Sequence, residues 1–150
     1  MAAALPQMLQ LQFPQYNFRI KKDGNRHLIF DEARRRWVTL SPEEWVRQNF
    51  LQYLVQVKHY PLSLISVEKI IKVAGLTKRY DVVVYQNNKP WMVVECKETN
   101  TPMNTAVIEQ ILRYNMALFV KYFVITNGNQ SFAYEICENA FIEITDLPEL

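Results

Sequence analysis

Short apolar segments separated by turn residues fill the first quarter of the chain, and this pattern predicts a small β-meander. Its three strands are expected at residues 16–20, 27–30 and 37–40. A Lys-Asp-Gly-Asn turn at residues 22–25 separates the first two. Residues 1–12 are rich in Gln and Leu without clear periodicity. We therefore expect an N-terminal arm and a small basic meander over residues 1–40, packed on a main domain of residues 41–150.

A helix is predicted to start at Ser41. Ser41 is a favourable N-cap, Pro42 suits the first helical position, and Glu44 lies three residues after the cap. Four apolar residues then recur at helical spacing: Val46, Phe50, Leu54 and Val57. This spacing predicts a helix that runs to about residue 58 and buries one face, before Pro61 ends it.

Longer apolar runs in the rest of the chain predict an α/β domain. Strands are expected in five places: residues 66–74, 81–85, 91–97, 122–126 and 131–137. The turn Asn87-Asn88 joins the second and third strands, which are apolar on both faces and so belong in a covered sheet. A helix is expected at residues 104–120, and the last residues form an edge segment or a tail. The order of helix, three strands, helix and two strands indicates a layered α/β domain.

The composition fits one compact domain and excludes several classes of protein. The chain has 150 residues, 49% of them hydrophobic, which is enough to bury a core without a disulfide scaffold. Its two cysteines form no CxxC pair and no ligand spacing with the two histidines, so a zinc site is not expected. It shows neither a signal peptide nor a run of about 18 apolar residues. We expect a cytoplasmic protein that does not cross a membrane.

Charge is distributed unevenly along the chain. The formal net charge of +2 is too small to indicate a nucleic-acid-binding protein by itself. Residues 1–60, however, carry nine basic and five acidic side chains. Within this part, the run Arg34-Arg35-Arg36 is either a solvated connector or a patch that contacts phosphates, and the sequence leaves both interpretations open.

Two acidic residues occupy matching positions of the strongest predicted hairpin. Asp81 and Glu95 are equally distant from Asn88, so in a hairpin centred there they face each other, with Lys97 on the same face. A turn that is asymmetric by one residue would separate them. Two carboxylates this close need a compensating cation, and Mg²⁺ with a substrate phosphate suits them. The pattern favours phosphodiester hydrolysis. The alternative is an ordinary ion pair between Glu95 and Lys97, with Asp81 as a strand-start residue.

These residues resemble the motif of a nuclease superfamily. Asp81, followed after thirteen residues by Glu95-Cys-Lys, is similar to the PD-(D/E)XK signature, with Tyr80 in place of the proline. Gln110 and Tyr114 are similar to the QxxxY element of its RecB-like branch.

Three further stretches resemble the N-terminal nuclease domain of type I restriction enzyme R subunits. They are Pro-Glu-Glu-Trp-Val-Arg-Gln from residue 42, Val-Glu-Cys-Lys from residue 94 and Ile-Thr-Asn-Gly from residue 125. This resemblance covers roughly residues 41–130. It implies a restriction-endonuclease-like αβββαβ core, with a mixed central sheet flanked by helices.

The resemblance also implies roles for individual residues. Asp81 and Glu95 become metal ligands, and Lys97 becomes the catalytic lysine. Glu44 becomes the acid of the first helix, although a capping box also accounts for it. Three residues are expected to bind DNA: Arg79, Gln110 and Tyr114. For Gln110 and Tyr114, an exposed polar pair at helical spacing is the alternative.

The implied activity is that of a Mg²⁺- or Mn²⁺-dependent deoxyribonuclease of the restriction or DNA-processing type, an endonuclease rather than an exonuclease. The alternative is a catalytically silent DNA-binding or adaptor module on the same fold. No phosphate-cradling Gly-rich loop followed by Lys and Ser or Thr occurs, so the chain cannot translocate DNA by itself. DNA is therefore the expected partner, together with a second copy of the chain or a separate motor or specificity subunit.

Overall fold

Two β-sheets and two α-helices form the structure, a computed structural model that describes residues 8–73, 75–138 and 140–150. The first sheet is antiparallel and has three strands: β1 (Ile20–Asp23), β2 (Arg26–Asp31) and β3 (Arg36–Thr39). The second sheet has six strands in chain order: β4 (Ile65–Val73), β5 (Leu76–Gln86), β6 (Lys89–Cys96), β7 (Tyr122–Thr126), β8 (Ser131–Cys137) and β9 (Ala140–Ile144).

The helices are α1 (Pro42–Gln52) and α2 (Thr105–Tyr114). A π-helical turn (Tyr53–Val57) and a 3₁₀ turn (Leu62–Leu64) follow α1. Strands β6 and β7 pair in parallel and the other neighbours pair antiparallel, so the large sheet is mixed. The predicted α/β class, with an αβββαβ core and an N-terminal β-meander, is confirmed.

The N-terminal part of the fold differs from the prediction in where the first strand lies. Residues 16–18, which were expected in that strand, instead pack their aromatic rings towards α1. The ring centroids of Tyr16 and Phe18 are 4.9 Å apart, and those of Phe18 and Trp45 are 5.1 Å apart. The first strand therefore begins only at Ile20. Residues 1–7 of the predicted arm and Ala74 of the predicted fourth strand lie outside the described residues.

Helix α1 begins where its sequence predicts. The turn that follows it explains why one predicted core residue is exposed. Ser41 Oγ accepts a hydrogen bond from the main-chain N–H of Glu44 at 3.0 Å. Val46, Phe50 and Leu54 are buried, but Val57 is exposed. The π-helical turn that holds Val57 is wider than an α-helical turn, so it rotates this side chain away from the predicted core face.

Helix α2 is shorter than predicted because Asn115 caps it. The Nδ2 group of Asn115 donates to the carbonyl of Ile111 at 2.7 Å, and its main-chain N–H donates to the carbonyl of Leu112 at 3.0 Å. Residues 115–121 then continue as an irregular segment in which Leu118 and Val120 are buried. The last predicted edge segment contains strand β9, which pairs with β8.

The hairpin of β5 and β6 keeps the predicted register in spite of a two-residue turn. Asn87 and Asn88 have φ values of 53° and 61°, as in the type I′ turns that favour Asn. That turn alone would shift the predicted pairing by one residue. A bulge at Trp91 restores it, so that Val82 pairs with Val94. Extension of this register by one residue places Asp81 beside Glu95.

The large sheet has a buried apolar cluster on each face. On the face towards α1, the side chains of alternate residues in β5 and β6 pack against Phe50 and Leu54. On the face towards α2, the side chains of the intervening residues pack against Ile108. The central strands are therefore covered on both sides, as their apolar sequences predict.

Candidate active site

A cleft of about 720 Å³ lies at the ends of β5 and β6, between the first turn of α1 and helix α2. Six of the seven predicted site residues line it: Arg79, Asp81, Glu95, Lys97, Gln110 and Tyr114. The seventh, Glu44, does not. The lining residues that the sequence analysis had not assigned to the site include Glu43, Lys78 and Asn115.

Asp81 lies at a break in the side-chain alternation of β5. Val82 packs on the α1 side of the sheet, whereas Tyr80, which regular alternation would place on that same side, packs on the α2 side. Across from the break, Glu68 on β4 has a left-handed backbone with φ of 53°. Asp81 Oδ2 accepts a hydrogen bond from the main-chain N–H of Cys96 at 2.7 Å. The end of β6 therefore fixes one oxygen of this carboxylate.

Arg47 of α1 fixes the other oxygen of Asp81. Arg47 Nη2 donates to Asp81 Oδ1 at 2.8 Å, and Arg47 Nη1 donates to Glu44 Oε1 at 2.8 Å. Arg34 also donates to Glu44 Oε1, through Nη2 at 2.7 Å. The side chain of Arg47 is only 6% exposed, so water screens these contacts weakly. Arg47 is therefore an anchored cation beside the cleft.

Glu95 is paired with Lys78 rather than with Lys97. Lys78 Nζ donates to Glu95 Oε1 at 2.7 Å, whereas Lys97 Nζ lies 3.9 Å from Glu95 Oε2. The buried Asn115 directs this contact, because its Oδ1 accepts from Lys78 Nζ at 3.0 Å and from the Tyr80 hydroxyl at 2.7 Å. Burial, and then the charge of Glu95, raises the pKa of Tyr80 to about 12, so this hydroxyl remains a donor at neutral pH.

The acid of the first helix that lines the cleft is Glu43, and this corrects the expectation for Glu44. Burial and the neighbouring charge of Asp81 raise the pKa of Glu43. Glu44 is buried outside the cleft, where its carboxylate accepts hydrogen bonds from three side chains: Arg34, Arg47 and Gln48. Adjacent residues on a helix point about 100° apart, so only one of the two acids can face the cleft.

Comparison with known families agrees with this geometry. The family described as "Type I restriction enzyme R protein N terminus (HSDR_N)" matches residues 42–148. The chain belongs to this family. Searches of curated proteins and of solved structures find no match to the chain. The resemblance stated from the sequence is confirmed, and the HSDR_N domain is nuclease-related. No helix in its described residues is long and apolar enough to cross a membrane.

Carboxylate oxygens at the cleft of the HSDR_N domain are the donor type that a hard divalent cation prefers. Within residues 8–73, 75–138 and 140–150, no three His, Cys, Asp or Glu side chains are arranged so that they could hold a metal. Arg47 contacts one oxygen of Asp81, and Lys78 contacts one oxygen of Glu95. The carboxylates of Asp81, Glu95 and Glu43 supply the donor type that Mg²⁺ and Mn²⁺ prefer. The residues therefore fit such a cation by donor type, and a resident side-chain cation must give up its contact before they can hold it.

Helix α2 presents Gln110 and Tyr114 to the same cleft of the HSDR_N domain. Both residues are exposed, and Tyr114 is 78% accessible to solvent. Spacing of four residues places them on one side of α2. Arg79 on β5 also lines the cleft. The mouth of the cleft thus carries one cation and two polar side chains without a carboxylate among them.

Proposed function

We propose that the chain is a divalent-cation-dependent nuclease that hydrolyses DNA phosphodiester bonds in this cleft, as an endonuclease of the restriction or DNA-processing type. The observation that carries the proposal is the convergence of Asp81, Glu95 and Lys97 in one cleft of an HSDR_N domain. The grouping that the sequence spacing predicts is thus present in the cleft, and it supports this chemistry.

In the proposed site, Asp81 and Glu95 hold Mg²⁺ or Mn²⁺, and Glu43 adds a third acidic group beside Asp81. When bound, the cation polarises the phosphate and lowers the pKa of a bound water. Lys97 is half exposed and only loosely associated with Glu95, so its ammonium group is free to orient the attacking water and to offset charge on the phosphate. Asp81 stays oriented by the main chain of Cys96 throughout.

The two resident side-chain cations have different roles in this proposal. Arg47 is buried and shared with Glu44, so it stays in place and sets the direction of Asp81. Lys78 is 36% exposed and lines the cleft, so it can leave Glu95 when the metal binds. Asn115 keeps the released ammonium group at the wall of the cleft, where it can face a substrate phosphate.

DNA is the proposed substrate, contacted at the mouth of the cleft by Arg79, Gln110 and Tyr114. Backbone phosphates accept hydrogen bonds from arginine, amide and phenol groups, and such contacts position DNA without reading its sequence. A second copy of the chain, or a separate motor or specificity subunit, is the proposed protein partner, because type I R proteins combine the nuclease with other functions.

Cleavage of plasmid and single-stranded DNA by the purified chain tests the proposal, with Mg²⁺, Mn²⁺ or EDTA present. We expect cleavage that EDTA abolishes. We also expect cleavage to be lost in Asp81→Ala and Lys97→Ala, with circular dichroism showing that both variants fold. Lys89→Ala, on the same strand as Glu95 but at the β5–β6 turn, is the matched control and should cleave normally.

Calorimetric titration of Mn²⁺ separates the two roles. Asp81→Ala should bind Mn²⁺ more weakly, whereas Lys97→Ala should bind it with nearly unchanged affinity. Unchanged affinity in Asp81→Ala would refute the ligand assignment. DNA binding without cleavage under any metal condition would favour the alternative, a catalytically silent DNA-binding module.

A further inference from the structure

The three-stranded sheet of β1 to β3 carries a group of exposed cations that lies ahead of the HSDR_N match. Its members are Arg19, Lys21, Lys22, Arg26, Arg35 and Arg36. Arg26 pairs with Asp23 at 3.3 Å. For the other five, the described residues provide no carboxylate oxygen within ion-pair distance. Their charge is therefore not neutralised within the described part of the chain.

Aromatic rings hold two of these cations in place. The guanidinium carbon of Arg19 lies 4.3 Å from the centroid of the Phe30 ring, and Lys21 Nζ lies 4.3 Å from the centroid of the Trp37 ring. Phe30 and Trp37 are paired across β2 and β3, so both cations lie on one face of the sheet. A ring orients a cation without cancelling its charge, which leaves the charge available to an external anion.

The loop between β2 and β3 divides the run of three arginines. Arg34 turns inward, where its Nε donates to the buried Asp31 Oδ2 at 2.6 Å, so it cannot contact a phosphate. Asp31 Oδ1 also accepts from the main-chain N–H groups of Ala33 and Arg34. Arg35, with φ of 54°, and Arg36 point outward and are exposed. Arg34 thus follows neither of the interpretations that the sequence left open, and those interpretations concern only Arg35 and Arg36.

This loop lies near the cleft. The guanidinium of Arg34 contacts Glu44, and the same oxygen of Glu44 contacts Arg47, which in turn contacts Asp81. Arg35 and Arg36 follow directly on Arg34. One extended polyanion can therefore reach both the exposed cations and the cleft.

We propose that these exposed cations form a second binding surface, which contacts the phosphate backbone of DNA outside the cleft. The proposal rests on the proposed function only for the choice of DNA as the polyanion. Exposed cations on all three strands and in the loop between β2 and β3 fit a partner with regularly repeated negative charges. Backbone contacts of this kind add affinity without sequence preference.

The affinity for a fluorescent DNA duplex of about 30 base pairs, measured at increasing salt concentrations, tests this surface. The buffer contains Ca²⁺, so that a metal ion is present and cleavage is suppressed. The first variant is Arg35→Gln with Arg36→Gln, two exposed side chains without ion pairs in the described structure. A second variant adds Lys21→Met and Lys22→Gln, in which Met keeps an apolar side chain on Trp37. Lys89→Gln with Lys121→Gln removes two exposed charges elsewhere and is the matched control.

We expect the slope of log affinity against log salt to become shallower by ~0.9 for each phosphate that the protein no longer neutralises, so by up to ~1.8 in the double variant. The control double variant should keep the wild-type slope. An unchanged slope in both cation variants, with circular dichroism showing that they fold, would overturn the proposal. So would binding to equimolar phosphatidylserine and phosphatidylcholine vesicles without binding to the duplex.

Cleavage distinguishes failure of this surface from failure of the cleft. Saturating plasmid should be cleaved at the wild-type kcat by the double variant, with only KM raised. A different result is that the wild-type chain fails to cleave DNA under every condition while the variants still show the shallower salt slope. That result would support the proposed binding surface and refute the nuclease proposal.

Discussion

Replacement of Lys78 by Met removes one charge while keeping an unbranched, apolar side chain of similar length. In the absence of metal, Glu95 then loses its ion pair at 2.7 Å and keeps only the distant ammonium of Lys97 at 3.9 Å. A charge-assisted hydrogen bond contributes more in a dry interior than at the surface, but Lys78 is 36% exposed. After discounting for solvent, we expect the free energy of unfolding to fall by about 1 kcal/mol at neutral pH.

The same change should strengthen metal binding. If Glu95 has to give up Lys78 before it binds the cation, Lys78→Met removes that competition. The gain of about 1 kcal/mol corresponds to roughly fivefold higher affinity for Mn²⁺. Calorimetry measures the affinity, and urea unfolding with excess Mn²⁺ should show a larger metal-induced stabilisation in the variant than in the wild type.

Two controls separate competition from general charge loss. Lys78→Arg keeps a cation on Glu95 and should bind Mn²⁺ like the wild type. Arg79→Met removes a neighbouring cleft charge that has no ion pair in the described residues, and its effect should be small and decrease with added salt. Equal gains in Lys78→Met and Arg79→Met, or no gain in either, would refute the exchange of Lys78 for metal.

Two further predictions concern the first helix and the buried tyrosines. Glu43→Gln should reduce cleavage and leave urea unfolding nearly unchanged, whereas Glu44→Gln, which weakens contacts with two buried arginines, should cost about 3 kcal/mol of stability. Burial, aided by Glu143, raises the pKa of Tyr134 to about 12. The unfolded chain releases this proton near pH 10, so the free energy of unfolding should fall by about 1.4 kcal/mol per pH unit between pH 10 and 12 for this group. Tyr134→Phe should lessen that slope in urea unfolding series, because Phe has no hydroxyl proton to release. The Tyr134 hydroxyl has no hydrogen-bond partner in the described structure, so the substitution breaks no hydrogen bond there.

The hairpin of β5 and β6 shows how far local patterns predict this fold. Alternation and the Asn87-Asn88 turn were sufficient to identify two strands and their partners. The predicted centre of the hairpin at Asn88 was wrong, since the turn is centred between Asn87 and Asn88. Asp81 and Glu95 are nevertheless neighbours, because a bulge at Trp91 compensates. Bulges depend on packing against the rest of the sheet, so the sequence of a hairpin does not reveal them.

The cleft shows a similar division between what spacing predicts and what requires tertiary structure. The spacing from Asp81 to Lys97 is a local property of one hairpin, and it predicts their grouping well. The choice between Glu43 and Glu44 depends on where α1 faces, and Arg34 contacts Glu44 from outside the helix. The pairing of Lys78 with Glu95 depends on Asn115, 37 residues from Lys78, and no sequence pattern links them.

The ion pairs of Arg34 also bear on where the folding unit ends. The family match begins at Pro42, yet Arg34 and Asp31 lie upstream of it and contact Glu44 and Gln48 within it. A fragment that starts at the match would keep every proposed catalytic side chain. It would also lose Arg34, which is one of the two cations paired with Glu44. Glu44 would then hold Arg47 less firmly in its contact with Asp81. The segment that the family model matches is therefore shorter than the set of residues that hold the proposed catalytic carboxylate in place.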